Sequence, residues 1–182
     1  MRPIVFSVLF SLVAAGFAAV LGPVAVLPSY LFLGGMSLVL FLTDVDHKRI
    51  PNRITYPGTP LAAALLVTGA VIDGTAAHLG RALAAAAVYT GALFLVYLVS
   101  RGGFGFGDVK LAVPLGLFLG FLGWSHLVVA AFATAFLGGI FAVAAVVGGG
   151  AGGKSEIPYG PPMIIGAWVA IIGGPELAAW LL

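Results

Sequence analysis

Half of the six acidic residues of this chain stand in two short stretches where they could do acid–base chemistry together. Asp44 and Asp46 lie in residues 43–52, and Asp108 lies in residues 104–110. Both stretches border long apolar runs. A carboxylate beside a membrane segment costs free energy, so its presence there suggests a function. If the stretches meet, two neighbouring carboxylates share one proton. The ionised member can then take a proton from water while the protonated member polarises a peptide carbonyl.

The spacing alone leaves a second interpretation equally open, in which Asp108 caps a helix and Asp44 is a solvated loop acid. The apolar run reaches Leu42, so we expect Asp44 to continue the last turn of a helix and to point into a partly dry pocket. Asp46 precedes the charged residues 47–49, a solvated setting. Gly105 and Gly107 leave the backbone before Asp108 exposed, so an extended substrate segment could lie close to it.

The elements that must position these acids are membrane helices. The chain has 182 residues, of which 62% are hydrophobic and 8% charged, with a mean hydropathy of +1.18. Runs of about 20 apolar residues recur from end to end. We predict one all-α, polytopic membrane domain over residues 1–182, and expect Gly116 and Gly120 to allow close helix packing. The predicted spans are 3–21, 26–43, 56–72, 79–99, 109–124, 126–147 and 161–181.

The basic residues predict the orientation of these spans. With the N-terminus in the cytoplasm, only Arg81 falls on the outer side, and both acidic stretches face the cytoplasm, a strong positive-inside pattern. We expect Lys110 to anchor its helix at that surface rather than to take part in chemistry. The basic residues assigned to the cytoplasmic side are Arg2, Lys48, Arg49, Arg53, Arg101, Lys110 and Lys154.

Other classes of function receive weaker support from the composition. The chain has no cysteine, which excludes disulfides, thiolate metal sites and a cysteine nucleophile. A net charge of +2 gives no indication of nucleic-acid binding. Asp44, Asp46 and His47 could hold magnesium in a metal-dependent, lipid-linked transferase. A non-enzymatic membrane subunit or transporter, in which the acids serve coupling, is the third class.

Three motifs together resemble the type IV prepilin peptidase family. Gly105-Phe106-Gly107-Asp108 is similar to its G-x-G-D motif. Asp44, followed six residues later by Ile50-Pro51-Asn52, is similar to its first aspartate motif. Residues 156–161, Glu-Ile-Pro-Tyr-Gly-Pro, resemble its third marker, before the last span. The motifs occur in the family's order and cover nearly the whole chain.

The resemblance implies a membrane aspartic endopeptidase of the inner or plasma membrane. It would cut the basic leader from pilin-like precursors at the cytoplasmic face, in type IV pilus assembly or protein secretion, without a cofactor or metal. Asp44 and Asp108 match the catalytic pair. The motif residues Gly105, Gly107, Pro51, Pro158 and Gly160 would shape the loops. Asp46 and Glu156 either attract the leader or are solvated acids.

The resemblance also implies one difference from longer family members. Those carry an extra first span and a cytoplasmic domain with paired cysteines that is linked to N-methylation, and this sequence has no cysteine. The expectation is therefore leader cleavage without methyl transfer to the new N-terminus.

Overall fold

The computed structural model describes residues 3–47, 50–100, 104–147 and 159–181. These residues form seven α-helices, one for each predicted span, and their lengths follow from uninterrupted apolar runs. The helices are α1 Pro3–Leu21, α2 Leu27–His47, α3 Asn52–Ile72, α4 His78–Val99, α5 Phe106–Leu122, α6 Trp124–Val147 and α7 Gly160–Leu181.

Within the described ranges, five of the helices are long and apolar enough to cross a membrane, and the chain is a multi-pass membrane protein. These are α1, α2, α3, α4 and α6. The fifth helix has 17 residues, which at 1.5 Å per residue is about 25 Å, shorter than a hydrocarbon core of roughly 30 Å. A short fifth span was predicted, but its start was placed too late, at 109. Because α5 begins at Phe106, Asp108 lies inside its first turn.

The third helix also begins earlier than predicted. Hydropathy predicts a span that starts at 56, and Pro57, Gly58 and Pro60 are expected to disturb its first turns. The helix instead starts at Asn52 and continues through both prolines. Each proline removes one intrahelical hydrogen bond. The helix nevertheless packs closely on α2 at this level, where a Cβ on Gly58 would overlap the sulfur of Met36.

The short helix α5 lies at the centre of the bundle. It is apolar all round, and it packs against α3, α4, α6 and α7. Gly116 and Gly120 face α4 so closely that a Cβ on Gly116 would lie 2.8 Å from the Cα of Ala86, and one on Gly120 would overlap Ala85. The predicted role of these glycines in close helix packing is thereby confirmed.

Polar contacts at the end of the bundle away from Asp44 and Asp108 tie the helices together. Arg81 of α4 donates to the carbonyls of Gly120, at 2.8 Å, and Phe121, at 2.6 Å, so a cation caps the C-terminal end of α5. The carboxylate of Asp73, after α3, accepts the backbone N–H groups of Ala25 and Val26 just before α2, at 2.8 and 2.9 Å. Without Arg81 and Asp73, the carbonyl groups at the end of α5 and the N–H groups before α2 would have no hydrogen-bond partner in lipid.

A tyrosine joins α2 to α5 near the same end. Tyr30, which is fully buried, donates its hydroxyl to the carbonyl of Phe118 at 2.8 Å, and the two rings meet edge to face at 4.9 Å. Along α2 the chain runs from Tyr30 to Asp44, and along α5 it runs back from Asp108 to Phe118. The two helices are thus tied at one end and present their aspartates at the other.

Candidate active site

Asp44 lies in the last turn of α2, and only 4% of its surface is exposed. The next two residues, Val45 and Asp46, are exposed. This is the arrangement predicted from the end of the apolar run at Leu42. The atom Oδ2 of Asp44 is buried and receives no hydrogen bond from any described residue. A buried carboxylate oxygen without a donor is costly and points to a place where water or substrate binds.

Asp108 lies in the first turn of α5 and is 6% exposed. The cap position of this helix belongs to Gly105, so the interpretation of Asp108 as the capping residue is wrong. The positive end of the helix dipole favours a negative charge at Asp108. A Cβ on Gly105 would stand 3.1 Å from Oδ2 of Asp108. The glycine therefore keeps the approach to this carboxylate open.

The N-terminus of α7 faces Asp44. The first residue of this helix is Gly160, whose backbone N–H interacts with the Asp44 carboxylate. A Cβ on Gly160 would lie 2.6 Å from Oδ2 of Asp44, which is closer than real Cβ atoms approach. Glycine is thus required here for space, and each aspartate lies at the positive end of a helix.

One side chain, Ile50, connects the surroundings of the two aspartates. A Cβ built on Gly107 would lie 3.2 Å from the Cβ of Ile50. A Cβ built on Gly160 would lie 3.4 Å from the Cδ1 of the same Ile50. Gly107 directly precedes Asp108, and Gly160 borders Asp44. The next residue, Pro51, turns the chain into α3, and its carbonyl accepts the N–H groups of Ile54 and Thr55 at 3.1 and 3.2 Å. Ile50 therefore lies between Gly107 of α5 and Gly160, the first residue of α7.

Tyr159, which directly precedes α7, packs against residues of two other segments near the aspartates. Its ring lies against Phe104, with ring centres 5.2 Å apart, and a Cβ on Gly138 of α6 would be 2.5 Å from it. Burial of the phenol, together with the negative charge of Asp108, raises the pKa of Tyr159 above its ordinary value. The hydroxyl therefore stays protonated at neutral pH.

Lys110 lies one turn after Gly107 and is held by α3. Its ammonium group donates to Oδ1 of Asn52 at 3.0 Å and stands over the rings of Tyr56 and Phe106, 5.0 and 4.9 Å from their centres. The sequence interpretation of Lys110 as only a surface anchor missed these contacts. The sequence feature that could have predicted these contacts is the motif Ile50-Pro51-Asn52, since it marks the segment that contacts α5.

Most of the predicted site residues come together at this end of the bundle. Asp46 is exposed, whereas Asp44 is buried. Glu156 and Pro158 lie outside the described residues. The residues that share the neighbourhood of the two buried carboxylates are Asp44, Asp108, Gly105, Gly107, Pro51 and Gly160.

The chemistry open to this arrangement is acid–base catalysis by paired carboxylates. Two carboxyl groups that share one proton act as acid and base on the same water molecule and carbonyl. No cluster of three His, Asp or Glu side chains that could hold a metal ion occurs in the part of the chain that is described. Because Asp46 is exposed, the magnesium site considered from the sequence gains no support.

Comparisons with known protein sequences identify a family. The sequence model of the type IV leader peptidase family matches residues 31–143, a range that includes both aspartates. The chain is 30% identical over 157 residues to a prepilin leader peptidase/N-methyltransferase of Bacillus subtilis (strain 168), covering 85% of this chain and 59% of that protein. Proteins of the same name from Aeromonas salmonicida (strain A449) and Stutzerimonas stutzeri are 28% and 30% identical.

The match is confined to part of these relatives. The Aeromonas alignment covers 84% of this chain and 51% of that protein, and the Stutzerimonas alignment covers 78% and 48%. The chain thus spans about half the length of the curated relatives it matches. No solved structure matches it.

Proposed function

Because this chain belongs to the type IV leader peptidase family, we propose that it is a membrane aspartic endopeptidase that removes the basic leader from type IV prepilin-like precursors. The observation that carries this proposal is the pair of buried carboxylates. Asp44 and Asp108 are 4% and 6% exposed; Asp44 faces the N-terminus of α7, Asp108 lies in the first turn of α5, and Ile50 lies against the glycine beside each of them. Carboxylates so deeply buried are retained where they do chemistry.

In the proposed reaction one carboxylate of the pair is ionised and the other is protonated. The ionised carboxylate takes a proton from water, and the water oxygen bonds to the carbonyl carbon of the scissile peptide. The protonated carboxyl group donates its hydrogen to the carbonyl oxygen. When the tetrahedral intermediate collapses, the carboxylate that is now ionised takes a proton back from a hydroxyl of the intermediate, the C–N bond breaks, and the leaving amine receives the proton that the other carboxyl group took from water. No covalent enzyme intermediate forms.

The glycines and helix ends supply the setting for this reaction. Gly160 leaves room beside Oδ2 of Asp44, the buried oxygen that has no donor among the described side chains and backbone groups. A substrate carbonyl or the attacking water would meet the pair there. The dipoles of α5 and α7 favour the single negative charge that the pair carries throughout the cycle.

We place the site at the cytoplasmic face, with the N-terminus of the chain inside. Support comes from the basic residues, since by sequence only Arg81 belongs to the opposite end of the helices. That exception has a structural reason, because Arg81 caps the C-terminus of α5. The protein would then be a multi-pass protein of the inner membrane, and the leader would reach it from the cytoplasm.

The proposed substrates are pilin-like precursors, the class that the names of the relatives imply. The exposed carboxylate of Asp46 lies two residues beyond Asp44 and would attract a basic leader, and we assign the same role to Glu156. Attraction between exposed charges is weak, so Asp46 should affect substrate affinity more than turnover. A metal-dependent transferase or a non-enzymatic subunit is not favoured, since the family model that matches the chain is that of a leader peptidase.

The experiment that tests this function is co-expression of the chain with a candidate precursor encoded near it. The precursor should shift to its mature size only when the chain is present. Mass spectrometry of the mature product should show a free amine, because the sequence has no cysteine and the methylation domain of longer family members is expected to carry paired cysteines. An unprocessed precursor would contradict the proposed cleavage, and a methylated N-terminus would contradict the proposed absence of methyl transfer.

A further inference from the structure

Lys110 and Asn52 join α5 to the start of α3. The ammonium group of Lys110 donates to Oδ1 of Asn52 at 3.0 Å, and the rings of Tyr56 and Phe106 lie 5.0 and 4.9 Å from it. An acceptor and two aromatic faces therefore fix this cation on the side of α3. The hydrogen bond is exposed to solvent, so its effect on the orientation of Lys110 depends on the two ring contacts beside it, each of which is a modest attraction at an exposed site.

This contact is the second of two that α5 makes with the same short segment. Gly107 meets Ile50, with 3.2 Å between the Cβ of Ile50 and the position of a Cβ on the glycine. Three residues later, nearly one helical turn on, Lys110 meets Asn52. Gly116 and Gly120 hold the later turns of α5 against α4, whereas the contacts of Gly107 and Lys110, nearly a turn apart, orient its first turns relative to α3.

The rotation of α5 determines where the carboxylate of Asp108 points. Asp108 lies between the two contact residues on the helix, and Ile50 also lies beside Gly160 next to Asp44. A small rotation of α5 would therefore move Asp108 relative to Asp44. Misplacement of a catalytic group by about 1 Å can cost on the order of 100-fold in rate.

We propose that the hydrogen bond between Lys110 and Asn52 is a clamp that sets the rotation of α5 and so places Asp108 relative to Asp44. This inference rests on the proposed peptidase function. Lys110 and Asn52 are positioning residues in this account and take no part in proton transfer. If Lys110 were only a surface charge, its loss should have the same effect as the loss of Arg53, an exposed cation next to Asn52. Arg53 is therefore the control.

The kinetic test compares four variants with the parent protein in membranes. Lys110→Met and Asn52→Leu should each lower kcat on the order of 10- to 100-fold with KM within about threefold, because the loss falls on the transition state. Asn52→Asp, which keeps an acceptor for the ammonium, should retain kcat within about threefold. Arg53→Met, the matched loss of one positive charge, should retain it within about twofold. Combining Lys110→Met with Asn52→Leu should cost no more than the worse single change.

A distance measurement tests the clamp without relying on cleavage. The chain has no cysteine, so Asp44→Cys together with Asp108→Cys gives one defined thiol pair for a short thiol-specific cross-linker. Cross-linking should be several-fold slower when Lys110→Met is added, and unchanged when Arg53→Met is added. Equal cross-linking rates, or a rise in KM with kcat unchanged, would overturn the proposal. If the parent chain cleaves no precursor, the peptidase function fails, but the cross-linking result still tests the clamp.

Discussion

Gly160 approaches Asp44 so closely that a methyl group on its Cα would stand 2.6 Å from the carboxylate oxygen Oδ2. The two residues are far apart in sequence, and their contact brings the N-terminus of α7 to the last turn of α2. It makes the third motif of the chain part of the surroundings of the first aspartate. Both the space beside Asp44 and the backbone N–H that faces it depend on this one position.

Replacement of Gly160 by alanine should therefore abolish most of the activity. The added methyl group must displace either the Asp44 carboxylate or the start of α7, and we expect cleavage to fall on the order of 100-fold. Gly139→Ala on α6 is the matched control, because a Cβ there meets nothing within 4 Å. The measurement is the initial cleavage rate at equal amounts of membrane-bound protein. Equal rates for the two variants would show that the contact with Asp44 does not matter.

Tyr159 should act through its ring rather than its hydroxyl. Tyr159→Phe keeps the contacts with Phe104 and Gly138, so we expect cleavage at neutral pH within about threefold of the parent. Tyr159→Ala leaves a cavity between these elements and should lose at least about tenfold. A large loss in Tyr159→Phe at neutral pH would instead assign the hydroxyl a direct role.

The raised pKa of Tyr159 predicts the sign of a stability change at high pH. Above the ordinary tyrosine pKa of about 10 the unfolded chain loses this proton while the folded chain keeps it, so stability falls as the pH rises toward the folded-state value. Tyr159→Phe removes that dependence. Its thermal midpoint in detergent should therefore fall less than that of the parent between pH 9 and 11, as an order-of-magnitude window around that pKa. Parallel curves would contradict the assignment.

Arg81 should matter for stability and not for chemistry. Its guanidinium group donates to the carbonyls of Gly120, Phe121 and Leu122 at the C-terminus of α5. Arg81→Met leaves these carbonyls without a donor and should cost roughly 2 kcal/mol of stability. Thermal unfolding in detergent measures the loss, with Arg53→Met as the control. Well below the midpoint, cleavage per folded molecule should stay within about twofold, and a specific loss of turnover there would contradict this role.

The features that could be predicted from the sequence are those that depend on local pattern. Apolar length predicts seven helices, and the end of the apolar run at Leu42 predicts that Asp44 is buried while Asp46 is exposed. The spacing of Gly116 and Gly120 predicts a close helix contact. The predicted span of α3 starts four residues too late, at 56, and the expected disturbance of its first turns does not end the helix, which continues through Pro57 and Pro60.

The features that could not be predicted are contacts between residues far apart in the chain. The hydrogen bond from Lys110 reaches Asn52, 58 positions away, and that from Arg81 reaches residues about 40 positions away. Hydropathy shows that a helix is apolar without showing which neighbour it meets when it is apolar all round, as α5 is. The same limit applies to Ile50, whose position between Gly107 and Gly160 appears only once α5 and α7 are assembled.

The most direct test of the central claim compares initial rates of leader cleavage for Asp44→Asn, Asp108→Asn and Asp46→Asn at matched protein levels in membranes. Asp44→Asn and Asp108→Asn should each abolish cleavage, and the double variant should be no worse, because the two carboxylates act as one unit. Asp46→Asn should keep substantial activity and lose at most some affinity for the leader. An active Asp44→Asn beside an inactive Asp46→Asn would contradict the assignment of the pair, and full activity in all three variants would contradict the aspartic mechanism itself.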